Sequence, residues 1–454
     1  MRYVASSAWR SAALVAAMAA VPTPSMCAPT GGAAQGDLAN QLSTPLTLDR
    51  AIRIALDHQQ TIRIAGSALE AARARVTEAR SAYFPQITPI YQYSNRKAVR
   101  VPVSGGSAVS EGQVAGINAT QMIFDTGRRE NSVEQSKFLA RAAQYTVLDQ
   151  RQNVILNVTA AFYAYLRNKE LVRVAEASVE NARTTLEATR AFVEAGTARR
   201  IDTFQAEADY ANTLVQLSQA RNNMRVALAE LRNALGIITP VQIVTDDTRP
   251  PQPDLKPDTT PLQQYFEQGV ASRLDLKSDV ESTRAQRRTL NISRIEAGLQ
   301  VQADVSAGYQ LEPERGDDRT FTTTFTYPLF DAGAAGARVH SARASLDRSI
   351  QQEQQTRQAI QLEIETAHYQ REAARERIGA TQSALTAARQ NFEAARDSQR
   401  EGAGDIIAVI QAQTQLVTAE TNAVQALYDF HTADAQLRRA VGANDPYRTE
   451  KPRP

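Results

Sequence analysis

The chain contains itself twice, in register. Phe124, Asp125 and Gly127 return as Phe330, Asp331 and Gly333, Gly196 as Gly402, Gln205 and Ala206 as Gln411 and Ala412, and Leu231, Arg232 and Gly236 as Leu437, Arg438 and Gly442, each pair 206 residues apart. Neither copy admits an insertion or deletion between these marks, so length itself is constrained, as in repeat units that must reach a fixed distance. From Arg128 to Glu194 there is neither Pro nor Gly, and the matching stretch from Ala334 to Arg400 holds only Gly336 and Gly379. Each stretch predicts one very long helix of 67 residues, extending about 100 Å.

Alternating steps of four and three residues from Val154 meet Val158, Ala161, Tyr165, Asn168, Val172, Ala175, Val179, Ala182, Leu186 and Thr189. The same face in the second copy carries Ile360, Ile364, Ala367, Arg371, Ala374, Ile378, Thr381, Leu385, Ala388, Phe392 and Ala395. This is a sustained coiled-coil repeat, and its alanines permit close antiparallel packing. Gly196 and Gly402 halt the long helices, and return helices follow over 202–235 and 405–441, ending at Gly236 and Gly442 as C-caps. Asp202 followed by Gln205 resembles a capping box, and Asp405 is a candidate cap for the other return helix. A further amphipathic helix precedes each copy, over 47–82 and 262–297, so two short helices end to end nearly equal the long one. Repeat 1 thus covers 46–236 and repeat 2 covers 262–442, separated by a Pro-rich linker, 237–261, and followed by a tail, 443–454.

Residues 1–27 read as a secretory signal, with Arg2 and Arg10 before an apolar run from Ala12 to Val21, and 28–45 as an extended segment. Cys27 is the only cysteine, so no intramolecular disulfide forms. It is either removed with the signal or retained as a lipidated N-terminus. No later segment approaches the roughly 20 uninterrupted apolar residues of a transmembrane helix. The net charge of +2, with both signs interspersed, argues against a nucleic-acid partner. Few aromatics and many Ala, Gln, Glu and Arg residues predict a mainly α chain with a small β part and thin seams rather than one core.

Between the preceding helix and the long helix the hydrophobic period changes from 3.6 to 2, predicting β-hairpins over 84–124 and 299–330. In the second, Val301, Ala303, Val305, Ala307 and Tyr309 alternate with Gln302, Asp304, Ser306 and Gly308, and Phe321 and Phe325 alternate with Thr320, Thr322, Thr324 and Thr326. In the first, Ile87, Tyr91 and Tyr93 oppose Gln86, Thr88 and Gln92. Strands of about ten residues suffice to cross a bilayer at a tilt. The alternative is a pair of amphipathic hairpins packed on a soluble core. Tyr309 lies 216 residues after Tyr93, so the first hairpin is longer by ten residues, which fit in the loop from Asn95 to Gly112. Four strands cannot close a barrel in lipid. A dimer would supply eight and a trimer twelve; the trimer, which leaves a lumen, is the expectation.

At this point the chain resembles the TolC-like outer membrane efflux proteins of Gram-negative bacteria. The resemblance covers nearly all of Leu46 to Gly442 and rests on the duplicated Phe-Asp-x-Gly, the Tyr-Phe-Pro at Tyr83 to Pro85, the glycine turns, and Gln-Ala-Glu at Gln205 to Glu207 with Gln-Ala-Gln at Gln411 to Gln413. It implies a homotrimeric, passive conduit, with a 12-stranded barrel among outer membrane lipids continued by a 12-helix α-barrel across the periplasm. It further implies a periplasmic adaptor, an inner-membrane pump reached through that adaptor, and export of drugs or other small molecules, or alternatively of secreted polypeptides. In the family the tip of the tunnel is narrowed where the long helices turn. That places a gate at Asp202, with Arg199 or Arg200 of a neighbouring hairpin as partner and Asp405 in support. The family's acidic pair of the second repeat would fall on Ala408 and Gln411, so this chain lacks it. Turn residues Gly196, Thr197, Ala198, Gly402, Ala403 and Gly404 become the expected adaptor contacts.

No enzyme, cofactor or metal site is expected. His58, His340, His368 and His431 lack ligand spacing, no nucleophile sits in a recognisable motif, and Asp331 to Gly336 lacks the Lys-Ser/Thr of a phosphate loop. Asp304 falls on the wet face of its strand, where it would line the barrel lumen. A periplasmic adaptor and a pore-less coiled-coil scaffold are the competing readings; an adaptor carries one hairpin, whereas this chain has two.

Overall fold

The computed structural model describes residues 45–100, 106–237, 250, 253, 259–312, 316–401 and 405–443. The expected signal with Cys27, most of 28–45, most of the linker and tail, and the turn residues Gly402, Ala403 and Gly404 lie outside the described residues. Leu48–Ile238 and Arg249–Pro454 form one compact unit; a second, Met1–Thr47 with Thr239–Thr248, falls almost wholly outside the described residues.

In the large unit each repeat runs through the same series. The first comprises α1 (Leu48–His58), α2 (Gln60–Ser81), β1 (Gln86–Arg100), β2 (Gly106–Phe124), α3 (Arg128–Glu194) and α4 (Arg200–Ala234). The second comprises α5 (Leu262–Ser272), α6 (Leu274–Ile295), β3 (Gln300–Glu312), β4 (Gly316–Thr326), α7 (Ala334–Arg400) and α8 (Ile406–Ala440). Helix lengths are 11, 22, 67 and 35 residues in both repeats.

The single helices expected over 47–82 and 262–297 are each two helices. Gln59 (φ −67°, ψ 124°) and Arg273 (φ −56°, ψ 128°) are extended and interrupt them. Neither break contains Pro or Gly; each is made by the end of a return helix. Gly236 (φ +74°) and Gly442 (φ +70°) close α4 and α8 in the left-handed region. A Cβ on Gly236 would stand 3.0 Å from the His58 carbonyl, and one on Gly442 would stand 2.7 Å from Ser272 Oγ. The side chains at the breaks then satisfy carbonyls left open at the helix ends. Gln59 Nε2 donates to Ala234 O (3.1 Å), Ser272 Oγ to Val441 O (2.6 Å) and Arg273 Nη1 to Ala440 O (3.3 Å). Two helices stacked end to end thus lie beside each long one.

α3 is the central element, packed by α1, α2 and α4 of its own repeat and by α6 and α8 of the other, while α7 receives α5, α6 and α8. The core is a chain of seams. One patch joins Leu276, Ile360, Ile364 and Leu437, the next Ala374, Ile378, Ala426 and Phe430, and a third Leu385, Phe392, Val409 and Leu416. No helix among the described residues is long and apolar enough to cross a membrane.

The four strands form one antiparallel sheet in the order β1-β2-β3-β4. Pairing sets Ile87 beside Ala119, Val305 and Phe321 in one row, and Gln86 beside Thr120, Asp304 and Thr322 in the next, so in these rows the apolar side chains share one face and the polar ones the other across all four strands. Ile87, Phe321 and Phe325 are 68%, 71% and 70% exposed. That exposure rejects packing of the apolar face on a soluble core. Among the described residues β1 and β4 each have one neighbour, leaving two open edges.

Candidate functional site

Each long helix is hung from the sheet by the same device. In the duplicated Phe-Asp-x-Gly, Thr126 (φ +57°) and Gly127 (φ +89°), like Ala332 (φ +53°) and Gly333 (φ +87°), turn the backbone left-handed. The Asp before them then accepts the free amides of the first helical turn. Asp125 accepts from Gly127 N (3.3 Å) and Arg129 N (3.0 Å), and Asp331 from Gly333 N (3.1 Å) and Ala335 N (2.6 Å). A carboxylate also complements the positive end of the helix dipole. In the first copy Arg129 strengthens the junction, pairing with Asp125 (3.1 Å) and donating to Met122 O and Ile123 O at the end of β2. The Asp of the motif is the anchor.

At the far end, α3 closes on Gly196 (φ +76°), with Thr197 N donating to Phe192 O (2.9 Å) and Gly196 N to Val193 O (3.0 Å). Thr197 Oγ1 and the Ala198 amide also go to Phe192 O, so these turn residues are held in the helix end. Asp202 is not the N-cap of the return helix: Arg199 occupies that position and Asp202 sits one turn inside. The Asp202 carboxylate reaches back to accept from Arg199 N (3.0 Å), while Arg199 Nη2 lies 3.0 Å from Asp202 Oδ1. Gln205 takes no part. The Arg199 hydrogen bond holds the Asp202 carboxyl below the usual carboxylate range, and the same contact raises the guanidinium.

Arg199 Nη2 also lies 4.0 Å from Asp405 Oδ1, and Asp405 caps α8 by accepting from Ile407 N (3.3 Å). Arg199 therefore joins the starts of both return helices, one from each repeat. Within the chain, Asp202 pairs with Arg199 of its own turn. No hydrogen bond or ion pair joins Arg200 to this group. Beside it, Ile201 (55%) and Phe204 (60%) are exposed apolar residues on the first turn of α4, a feature the seam pattern gave no reason to notice.

On the wet face of the sheet, Asp304 accepts from Thr120 Oγ1 (2.9 Å) and from Gln302 Nε2 (3.1 Å). It stands in a field of hydroxyls and amides from Gln86, Asn118, Ser306, Thr320 and Thr322. Among the described residues no His, Cys, Asp or Glu cluster is arranged to hold a metal ion.

A sheet greasy on one face and wet on the other, open at both edges and continued by two 67-residue helices, defines one stave of a membrane duct. Comparison with known proteins agrees. A family model described as outer membrane efflux protein matches residues 51–237 and 267–443, once for each repeat, and the chain belongs to that family. It is 24% identical over 374 residues to the outer membrane efflux protein BepC of Brucella suis biovar 1, covering 81% of this chain and 79% of that one. It is 22% identical over 390 residues to the outer membrane protein TolC of Escherichia coli, covering 82% and 77%. The crystal structure of the CmeC outer membrane channel of Campylobacter jejuni superposes with a TM-score of 0.78 at 18% identity, over 88% of this chain and 87% of that one. The chain is a channel component of a bacterial export system, not an enzyme, seated in the outer membrane and extending into the periplasm.

Proposed function

We propose that three copies close into a 12-stranded barrel and a 12-helix tunnel, a passive conduit for small molecules that a periplasmic adaptor couples to an inner-membrane pump. The observation that carries this reading is the pair of open sheet edges. In hydrocarbon each unpaired backbone group costs several kcal/mol, so β4 of one copy must pair with β1 of the next until the ring closes. A ring of twelve strands leaves a lumen, whereas eight nearly fill. The wet face bearing Asp304 then lines the bore, which is solvated and unshaped, as suits varied small cargo.

At the periplasmic end, Arg199, Asp202 and Asp405 hold the two hairpins of each copy together and keep the tip narrow. The turn of the first repeat, where Gly196 and Thr197 are exposed and Ala198 follows, offers a surface for the adaptor, and Gly402, Ala403 and Gly404, outside the described residues, are proposed to serve the same role in the second repeat. Fractionation followed by unboiled electrophoresis tests the assembly: an outer-membrane trimer is expected, and a soluble monomer ends the proposal. Single-channel recording tests the gate. Asp202→Ala is expected to raise conductance, and an unchanged trace would leave Asp202 only its role in the helix cap.

A further inference from the structure

Inside one copy the two repeats meet where α3 lies under α8. Tyr163 of α3 stacks on His431 of α8, ring centroids 5.2 Å apart and planes 27° apart. Gln152, buried, donates through Nε2 to Ala443 O (3.0 Å). Ion pairs reinforce the seam: Arg167 with Asp429 (3.3 Å), and Arg439 with Asp149 (2.9 Å), helped by Asn153 (2.8 Å).

By the 206-residue repeat, α7 is the counterpart of α3, and α4 the counterpart of α8. Leu362 and Tyr369 stand where Leu156 and Tyr163 stand on α3, yet they are 67% and 55% exposed. They lie seven residues apart on one face of α7. Gln358, the counterpart of buried Gln152, is exposed as well. On α4, Arg225 and Val226 occupy the places of His431 and Thr432, and both are exposed. A face that repeat 1 covers with repeat 2 is thus bare in repeat 2, and so is the matching face of repeat 1.

We infer that adjacent copies join through a second edition of this seam, with Tyr369 stacked on Arg225 of the neighbouring copy as Tyr163 stacks on His431, and Gln358 donating to the Ile237 carbonyl of that copy. The inference rests on the closed ring proposed above and names its contacts. A guanidinium over a phenol ring is a favourable cation–π pair. The ion pairs are not carried over. Ala373 and Asn223 replace Arg167 and Asp429, and Gln355, Ala359 and Asn233 replace Asp149, Asn153 and Arg439. Neither of these ion pairs therefore has a counterpart in the seam between copies.

Tyr369→Cys combined with Arg225→Cys, treated with a short bifunctional maleimide in intact outer membranes, tests the contact. Bands of two and three linked copies on a denaturing gel are expected, absent from either single variant, which shares Cys27. A trimer on the unboiled gel without linked bands overturns this seam and leaves the ring standing; a monomer of the unmodified protein overturns both. Tyr369→Ala supplies a second readout. It is expected to lower by several degrees the temperature at which the unboiled assembly dissociates, while Arg225→His, which restores the residue used inside the copy, retains it. An unchanged dissociation temperature in Tyr369→Ala refutes the stack.

Discussion

Asp125 and Asp331 hold equivalent positions in different surroundings, and substitution should separate them. Asp125 is 6% exposed and paired with Arg129, itself largely buried, whereas Asp331 is about a third exposed. Asp125→Ala strands a buried guanidinium and is expected to cost about 3 kcal/mol. Asp331→Ala loses mainly a cap, about 1 kcal/mol. Thermal dissociation of the detergent-solubilised protein ranks the two, and equal losses would deny the part given to Arg129. Asp202 yields a prediction in pH. Its carboxyl titrates lower when folded than when unfolded, because Arg199 binds the charged form. The stabilisation is therefore complete above the unfolded value of about 3.9 and disappears as pH falls through the lower folded value. Conductance is expected to stay constant from pH 7 to about 5 and to change only below about 4. A transition centred above pH 5 would show that another group controls the tip.

At the scale of elements, the breaks at Gln59 and Arg273 show what a linear pattern cannot carry. The long helices were legible because nothing interrupts them and their apolar face recurs at fixed steps. The strands were legible because the period changes to two. The breaks were not, since apolar spacing runs on through His58–Gln60 and Ser272–Leu274 and the interruption is imposed by a helix end distant in sequence. The misplaced N-cap at Asp202 has a similar origin, for an arginine rarely stands at that position, and only the fold shows the carboxylate reaching back. In the second break the Arg273 side chain is only 5% exposed and binds Asp275 (2.6 Å) and Glu363 (2.6 Å) as well as the end of α8. Burial pushes the nearby Asp149 carboxyl up despite Arg439. Arg273→Ala removes the most buried cation of this cluster and is expected to cost about 3–5 kcal/mol. Gln59→Ala, in the neutral counterpart, should cost about 1 kcal/mol. Urea unfolding of the purified protein distinguishes them.

For the whole molecule, the decisive matter is which face of the sheet meets lipid. The cross-strand register puts Phe325 in line with Val301 and puts Thr324, its immediate neighbour, in line with Gln302 on the opposite face. If the apolar face is turned outward, an arginine at position 325 must lie in hydrocarbon, at a cost of about 2–4 kcal/mol near the midplane and less toward the headgroups. The same charge at position 324 enters the aqueous bore and costs little stability, but it alters ion flow. Phe325→Arg is therefore expected to reduce the amount of heat-stable trimer in outer membranes several-fold, whereas Thr324→Arg assembles normally and shifts ion selectivity toward anions. Adjacent residues with opposite outcomes cannot both follow from a sheet packed against protein, because there the arginine at 324 would be solvated harmlessly and would leave no trace in a current. Normal assembly of Phe325→Arg together with loss of Thr324→Arg would invert the barrel and remove the bore from the face bearing Asp304.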